Sequence, residues 1–301
     1  MDGLVKGNGA HVVIGPVGAR GARPGDTLQV DILKTTFAID WGFVPILPLL
    51  GTLPDEFADY EAPILPSIAL ATCAACPGAP TVDHLPHSKF SMARDMAELM
   101  AWLGHDAYGV VAHDRGARVA HQLALDYPDR VSRLVVMDIV PTIEHFERTD
   151  MSFALGYYHW FWFAQPHPFP EALISAAPAI WFHAHTARET KEIGFFRAEA
   201  LAEYLAAAHD PDAICGMCED YRAAATIDLV HDRLSRGAGI LVQCPVLVLW
   251  GSQGRIGGWY DPVTLWQKYC AASVSGYAVC AGHYLAEEAP AEVLDQLSQF
   301  V

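Results

Sequence analysis

No stretch of this 301-residue chain is long and apolar enough to form a membrane helix. The most apolar run, Phe43 to Leu53, is broken by Pro45, Pro48 and Gly51. The first residues, "MDGLVKGNGAHVV", lack the charged-then-apolar order of a secretion signal. The sequence therefore predicts a cytoplasmic protein with no membrane partner. Basic residues are also scarce. Nineteen Lys and Arg stand against 35 Asp and Glu, a formal net charge of -16. A nucleic-acid binder normally carries a basic surface, so no such partner is predicted. Small anions stay open as substrates, because one local positive site reverses the field where it matters.

A disulfide framework is missing as well. Seven cysteines, an odd number, fit reduced thiols better than paired ones. Two CxxC pairs occur, Cys73/Cys76 and Cys215/Cys218, and four thiolates would suffice for zinc if the fold joined them. Their neighbours, "ATCAAC" and "ICGMC", suit small buried thiols. Neither a metal nor a cofactor is predicted. Internal repeats and low-complexity tracts are absent too.

What remains is a globular composition, 52% apolar and 18% charged, with two characters along the chain. Residues 1–85 are rich in Gly and Pro and β-like; Leu28, Val30 and Ile32 alternate with polar residues after a Pro-Gly-Asp turn. From Pro86 the pattern changes. Met92, Met96, Leu99, Met100 and Leu103 recur at helical spacing, with Ser91 as a candidate N-cap and Gly104 as a stop. A strand at Tyr108–Ala112, a helix ending near Tyr127 and a strand at Arg133–Asp138 follow. This order predicts an α/β fold with a parallel sheet and crossover helices. Strand-like runs return at Cys244–Trp250 and Gly276–Ala281. The aromatic, helical segment 143–238 between them reads as a cap over a core built from 86–142 and 239–301.

The centre of interest is "VVAHDRGARVAH", Val110 to His121. It has the frame of a strand-turn-helix elbow that exposes a nucleophile, with Asp114 in the exposed seat. A helix N-terminus favours negative charge, so this carboxylate is expected to be ionised. A carboxylate can attack saturated carbon or an epoxide and form an ester, which a water must then hydrolyse with help from a base. In the elbow fold the acid and histidine follow the nucleophile in chain order. Asp138, at a strand end, fits the acid, and His283, in "CAGHYLAEEAP", fits the base. Each has a plainer alternative: helix cap, turn cap and surface histidine respectively. Arg115 and Arg118 lie three apart on one helix face beside Asp114. Guanidinium groups grip carboxylates in bidentate fashion, so the pair reads as a clamp for a substrate carboxylate. The alternative is a surface ion pair with Asp126, Asp129 or Glu287.

Residues 86–301 resemble the fluoroacetate (haloacetate) dehalogenases of the α/β-hydrolase superfamily. The stretches "VVAHDRGARVAHQLALDYPDRVSRLVVMDIVPT", "YYHWFWFAQPHPFPE", "CEDYRAAATIDL" and "GHYLAEEAP" carry the resemblance. Related epoxide hydrolases and haloalkane dehalogenases usually place Trp where this chain has Arg115. The resemblance implies an α/β-hydrolase sheet with a helical cap and a small haloacid substrate. Asp114 would displace the halide. His283, oriented by Asp138, would activate water, and Arg115 and Arg118 would hold the carboxylate. His159, Trp160 and Tyr221 would donate hydrogen bonds to the departing halide. The resemblance also implies a homodimer. Tyr158, Phe161 and Trp162 read instead as an aromatic core stripe.

Residues 1–85 depart from that family. Its opening strands and its "HG-F-P" loop, which supplies one oxyanion donor, are not found there. "GARPGDTLQVDILKTTFAIDWGFVPILPLLGTLPDEF" resembles part of the acetamidase/formamidase family. The expectation is a junction near residues 80–87 in which the usual first strands are replaced, with activity impaired. An epoxide hydrolase and an inactive fusion of two enzyme fragments are the rival readings.

Overall fold

A computed structural model describes residues 67–68, 80–188 and 193–300. Among these, five strands form one wholly parallel sheet in sequence order: β1 (Ser67–Ile68), β2 (Tyr108–His113), β3 (Val131–Met137), β4 (Val246–Gly251) and β5 (Val274–Val279). β2 is buried along its whole length and β4 at all positions but Trp250, as expected of parallel strands covered on both faces. β5, at the sheet edge, is only partly covered.

Strand periodicity sorts these residues into two cores. Val110, Ala112, Leu134, Val136, Val246 and Val248 pack with Met92, Met100, Leu123 and Trp266. That core joins the sheet to α1 (Lys89–Trp102) and α2 (Asp114–Asp126). Val111, Val135, Met137, Leu247 and Leu249 pack instead with Leu285 and Val293. Among the described residues eight helices then lie between β3 and β4: α3 (Thr142–Glu147), α4 (Met151–Gly156), α5 (His159–Trp162), α6 (Phe169–Ala176), α7 (Pro178–Thr186), α8 (Ala198–Ala208), α9 (Pro211–Ala225) and α10 (Ile227–Gly237). They build cores of their own, one around Phe153, Trp160, Phe163, Ile214 and Tyr221 and another around Phe196 and Tyr204. The chain then adds α11 (Ile256–Trp259), α12 (Pro262–Trp266), α13 (Leu285–Glu288) and α14 (Pro290–Phe300).

Several details differ from the sequence expectation. Ser88, not Ser91, caps α1: its hydroxyl accepts from the Ser91 N–H at 3.1 Å, while the Ser91 hydroxyl donates to the Leu85 carbonyl at 2.7 Å. The buried face of α1 centres on Met92, Ala93, Ala97 and Met100, which leaves Leu99 exposed. Tyr158 is likewise exposed, whereas Phe161 and Trp162 are half-buried against the cap core. A helix as short as α5 cannot point four consecutive rings the same way.

The flank of β2 is occupied. Ser67 and Ile68 pair with Gly109 and Val110, so residues before 86 supply a neighbour for β2. The strand predicted at Leu28–Ile32, the apolar run Phe43–Leu53, the pair Cys73/Cys76 and the amidase-like stretch lie outside the described residues. No helix among the described residues is long and apolar enough to cross a membrane.

Candidate active site

The elbow places Asp114 at the first position of α2, with φ at 44°. That left-handed conformation is uncommon for a residue with a side chain and clusters at functional sites. Asp138 leaves the end of β3 in a similar conformation, φ 53°. Both carboxylates stand at the C-terminal ends of adjacent parallel strands, where such sheets bind ligands. Neither acts as a helix cap: His113 occupies the N-cap position of α2 and Pro141 that of α3.

His283 reaches both. Its Nδ1 donates to Asp138 Oδ2 at 2.7 Å, and its Nε2 lies 3.6 Å from Asp114 Oδ2, an ion-pair distance. Asp138 Oδ1 accepts from the Gly251 N–H at 3.1 Å. Gly251 has no room for a side chain, because a Cβ would lie 1.9 Å from the Gly282 carbonyl oxygen. That close approach brings the His283 loop against the end of β4. His113 donates through Nε2 to the His283 carbonyl at 2.7 Å. Burial pushes the His113 pKa down to about 4, so its ring is neutral.

Asp114, Asp138 and His283 are all at least nine-tenths buried. Burial alone would raise the Asp114 carboxyl, but His283 and Arg118 outweigh it and hold the group well below the usual carboxylate range. Burial works against the His283 charge, yet the two facing carboxylates raise its pKa to about 10. The charges on His283 and Asp114 thus favour one another against the cost of burial.

Arg115 and Arg118 are buried, not on the surface. Neither pairs with Asp126, Asp129 or Glu287. Arg115 grips Asp220 of α9 with Nε, and its Nη2 donates to the Asp220 carbonyl at 3.0 Å. Lys89 holds the same carboxylate from the other side. Arg118 Nη1 donates to the Val140 carbonyl and the Thr142 hydroxyl, both at 3.1 Å. Trp160 stacks on both guanidinium groups, at 5.2 and 4.6 Å from its ring centroid, and Tyr221 lies 4.1 Å from Arg115. One nitrogen of each arginine, Arg115 Nη1 and Arg118 Nε, is buried with no hydrogen-bond partner among the described residues. Burial and the neighbouring Arg115 lower the Arg118 pKa to about 10, which still leaves it charged at neutral pH.

His159 and Trp160 of α5 meet Tyr221 of α9, with ring centroids 5.7 and 5.9 Å from that of Tyr221. His159 Nδ1 has no partner among the described residues. Burial pushes the Tyr221 hydroxyl pKa up, so it stays protonated as a donor. Cap and core thus converge on one buried site.

The sequence reading missed Asp220, Lys89, His113 and Gly251. Asp220 stands beside Tyr221 in "CEDYR", and asking what neutralises Arg115 would have flagged it. The N-terminus of α2 offers backbone N–H groups at Asp114; the loop expected to add a second oxyanion donor lies outside the described residues. Cys215 and Cys218 are both buried on α9. His167, Glu171 and Cys215 bring ligand atoms within 4.8 Å of one another. Arg222 already holds both oxygens of Glu171, at 2.6 and 3.1 Å, which puts a guanidinium where a cation would need the carboxylate.

A model of the alpha/beta hydrolase fold matches residues 77–290. A fluoroacetate dehalogenase from Burkholderia sp is 36% identical over 277 residues, covering 86% of this chain and 88% of that protein. Residues 86–301 alone cannot supply that share, so the match runs back into the N-terminal segment. A soluble epoxide hydrolase from Corynebacterium sp. (strain C12) is 31% identical over 216 residues, 70% of this chain and 73% of that one. Among solved structures, a protein from Nostoc sp PCC 7120, provisionally described as an alpha/beta hydrolase, is 45% identical with a TM-score of 0.72; the match covers 75% of this chain and 76% of the other.

Proposed function

Because the chain belongs to the alpha/beta hydrolase fold family, we propose from its site geometry that this hydrolase is a dehalogenase of small 2-haloacids such as fluoroacetate. The observation that carries the proposal is the pair of buried guanidinium nitrogens, without a hydrogen-bond partner among the described residues, beside an ionised aspartate. Buried cationic donors without partners are costly, and a substrate carboxylate would satisfy both. Held there, the substrate presents its α-carbon to Asp114.

An Asp114 oxygen attacks that carbon from the side opposite the halogen. The carbon–halogen pair leaves with the halide, which His159, Trp160 and Tyr221 receive with N–H and O–H donors. Fluoride is a poor leaving group and a strong acceptor, so donors that tighten as charge develops lower the barrier. The product on the enzyme is an ester of Asp114. Esterification removes one of the two charges that keep His283 protonated. Its pKa falls, the proton passes to solvent, and the neutral imidazole can take a proton from water. The hydroxide adds to the ester carbonyl, and collapse returns carboxylate and 2-hydroxyacid. In sum, one haloacid and one water give one hydroxyacid, one halide and one proton.

The direct test is halide release from fluoro-, chloro- and bromoacetate by the purified, folded protein; no release from any of them refutes the reading. A homodimer and a cytoplasmic location accompany the proposal, and sedimentation velocity checks the first. The second reading is an epoxide hydrolase, favoured by the Corynebacterium relative. The two part at Arg118. Arg118→Ala removes a charged hydrogen bond to the carboxylate and raises KM for haloacetate by roughly 10- to 100-fold. A neutral epoxide has no carboxylate to lose, so its KM stays within about twofold, well under one charged hydrogen bond. Steady-state kinetics with both substrate types decides.

The two chemical steps also titrate differently. Asp114 is ionised far below neutral pH, so first-turnover halide release is flat between about pH 5 and 9. Ester hydrolysis needs neutral His283 and rises with pH until the lowered pKa of the intermediate is passed. Rapid-quench measurement of each step across that range checks the difference; a halide-release step that follows the same rise contradicts the assignment.

A further inference from the structure

His283 sits on a connection that has no regular structure of its own until α13 begins at Leu285. Its side chain must nevertheless meet Asp138 at 2.7 Å and face Asp114. The Glu288 carboxylate, four residues after Tyr284, supplies the missing restraint. Its Oε2 accepts from the Gly282 N–H at 2.7 Å, and its Oε1 accepts from the Tyr284 N–H at 2.9 Å. One carboxylate therefore grips the backbone on both sides of His283, while His113 holds the carbonyl between them. Glu288 is only partly buried, and among the described residues its side chain bonds to these two backbone groups and forms no hydrogen bond or ion pair with Asp114 or Asp138.

We propose that Glu288 is a positioning residue for His283, acting on the ester-hydrolysis half of the reaction and not on the displacement half. This rests on the proposed dehalogenase chemistry. The physical case is geometric. Two backbone N–H donors converge on two oxygens of one anion, a charge-assisted arrangement that is strong and directional. Release of either bond frees the peptide groups that set the imidazole's reach, and a general base displaced by about 1 Å can lose two orders of magnitude in rate. The proposed displacement step uses Asp114, the arginines and the halide donors, and the Glu288 side chain shares no hydrogen bond or ion pair with any of them among the described residues.

The neighbouring Glu287 provides a control within the same helix. Its Oε1 accepts from the Tyr204 hydroxyl of α8 at 2.6 Å, so it ties this turn to the cap and not to the His283 backbone. The two consecutive glutamates thus divide between the loop and the cap.

The test compares wild type, Glu288→Gln, Glu288→Asp and Glu287→Gln with chloroacetate. It follows halide release in the first turnover, steady-state turnover and the intact mass of the protein. Glutamine keeps one acceptor oxygen but turns an N–H2 toward a backbone N–H. In Glu288→Gln, first-turnover halide release stays within about threefold of wild type, while steady-state turnover falls by about 10- to 100-fold and the Asp114 ester accumulates. Glu288→Asp keeps both oxygens and recovers part of the loss. Glu287→Gln accumulates no ester. The inference is overturned if halide release and turnover fall together in both Glu288 variants, or if neither accumulates ester. Should Glu288→Gln not fold, the same two outcomes are read from Glu288→Asp. Absence of halide release by wild type overturns the proposed function instead, which separates the two failures.

Discussion

Asp114→Asn abolishes sustained haloacetate turnover, with a loss on the order of 10^4-fold or more, the size seen when a covalent nucleophile is removed. The substitution is close to isosteric, and asparagine tolerates positive φ better than most residues, so the elbow at φ 44° survives. What disappears is the charged oxygen that forms the ester. A second consequence follows from electrostatics. Asp114 is one of the two carboxylates that raise His283 to about 10, so its neutralisation brings the His283 pKa down. NMR titration of the His283 ring in wild type and variant reads that shift directly. On the proposed reading, substrate carboxylate binding by Arg115 and Arg118 persists in Asp114→Asn and is measurable by calorimetry. Turnover within tenfold of wild type would remove Asp114 from the reaction.

His283→Gln produces a different failure. One equivalent of halide appears per site, and the protein then stops with its mass increased by the carboxymethyl group that esterifies Asp114. Sustained turnover falls by about 10^2- to 10^4-fold, the usual contribution of a general base. On the proposed mechanism Asp114 still attacks in this variant, with Arg118 among the groups that favour its charge. The burst followed by arrest assigns the two carboxylate-facing steps to different residues. Slow halide release without any trapped ester would show that His283 serves the first step as well.

The same imidazolium couples stability to pH. His283 carries a raised pKa in the folded protein, so its contribution is fully present below the ordinary histidine value and is lost as pH rises through about 10. The buried Asp114 shift has the opposite sign and its contribution disappears as pH falls.

Much of this site was legible in the chain alone, because its signals are local. The elbow is a strand, a turn and a helix within a dozen residues, and the nucleophile-acid-histidine order of "HDRG", "DIVPT" and "GHYL" is a property of one dimension. Parallel-strand burial and the helical stretch between β3 and β4 are equally visible as hydrophobic patterning. The tertiary structure decided what those patterns cannot encode. Asp220 lies 105 positions from Arg115, and neither periodicity nor propensity pairs two charges at that separation. Lys89, to which the sequence assigned no role, shares that carboxylate. The contact between Gly251 and Gly282 and the grip of Glu288 around His283 depend on how loops meet above the sheet. β1 beside the nucleophile strand is a product of long-range backbone pairing. Local sequence fixes which side chains a segment exposes; only the folded chain determines which distant charges and peptide groups they meet, because those partners are chosen by burial and by the need to satisfy every buried polar group.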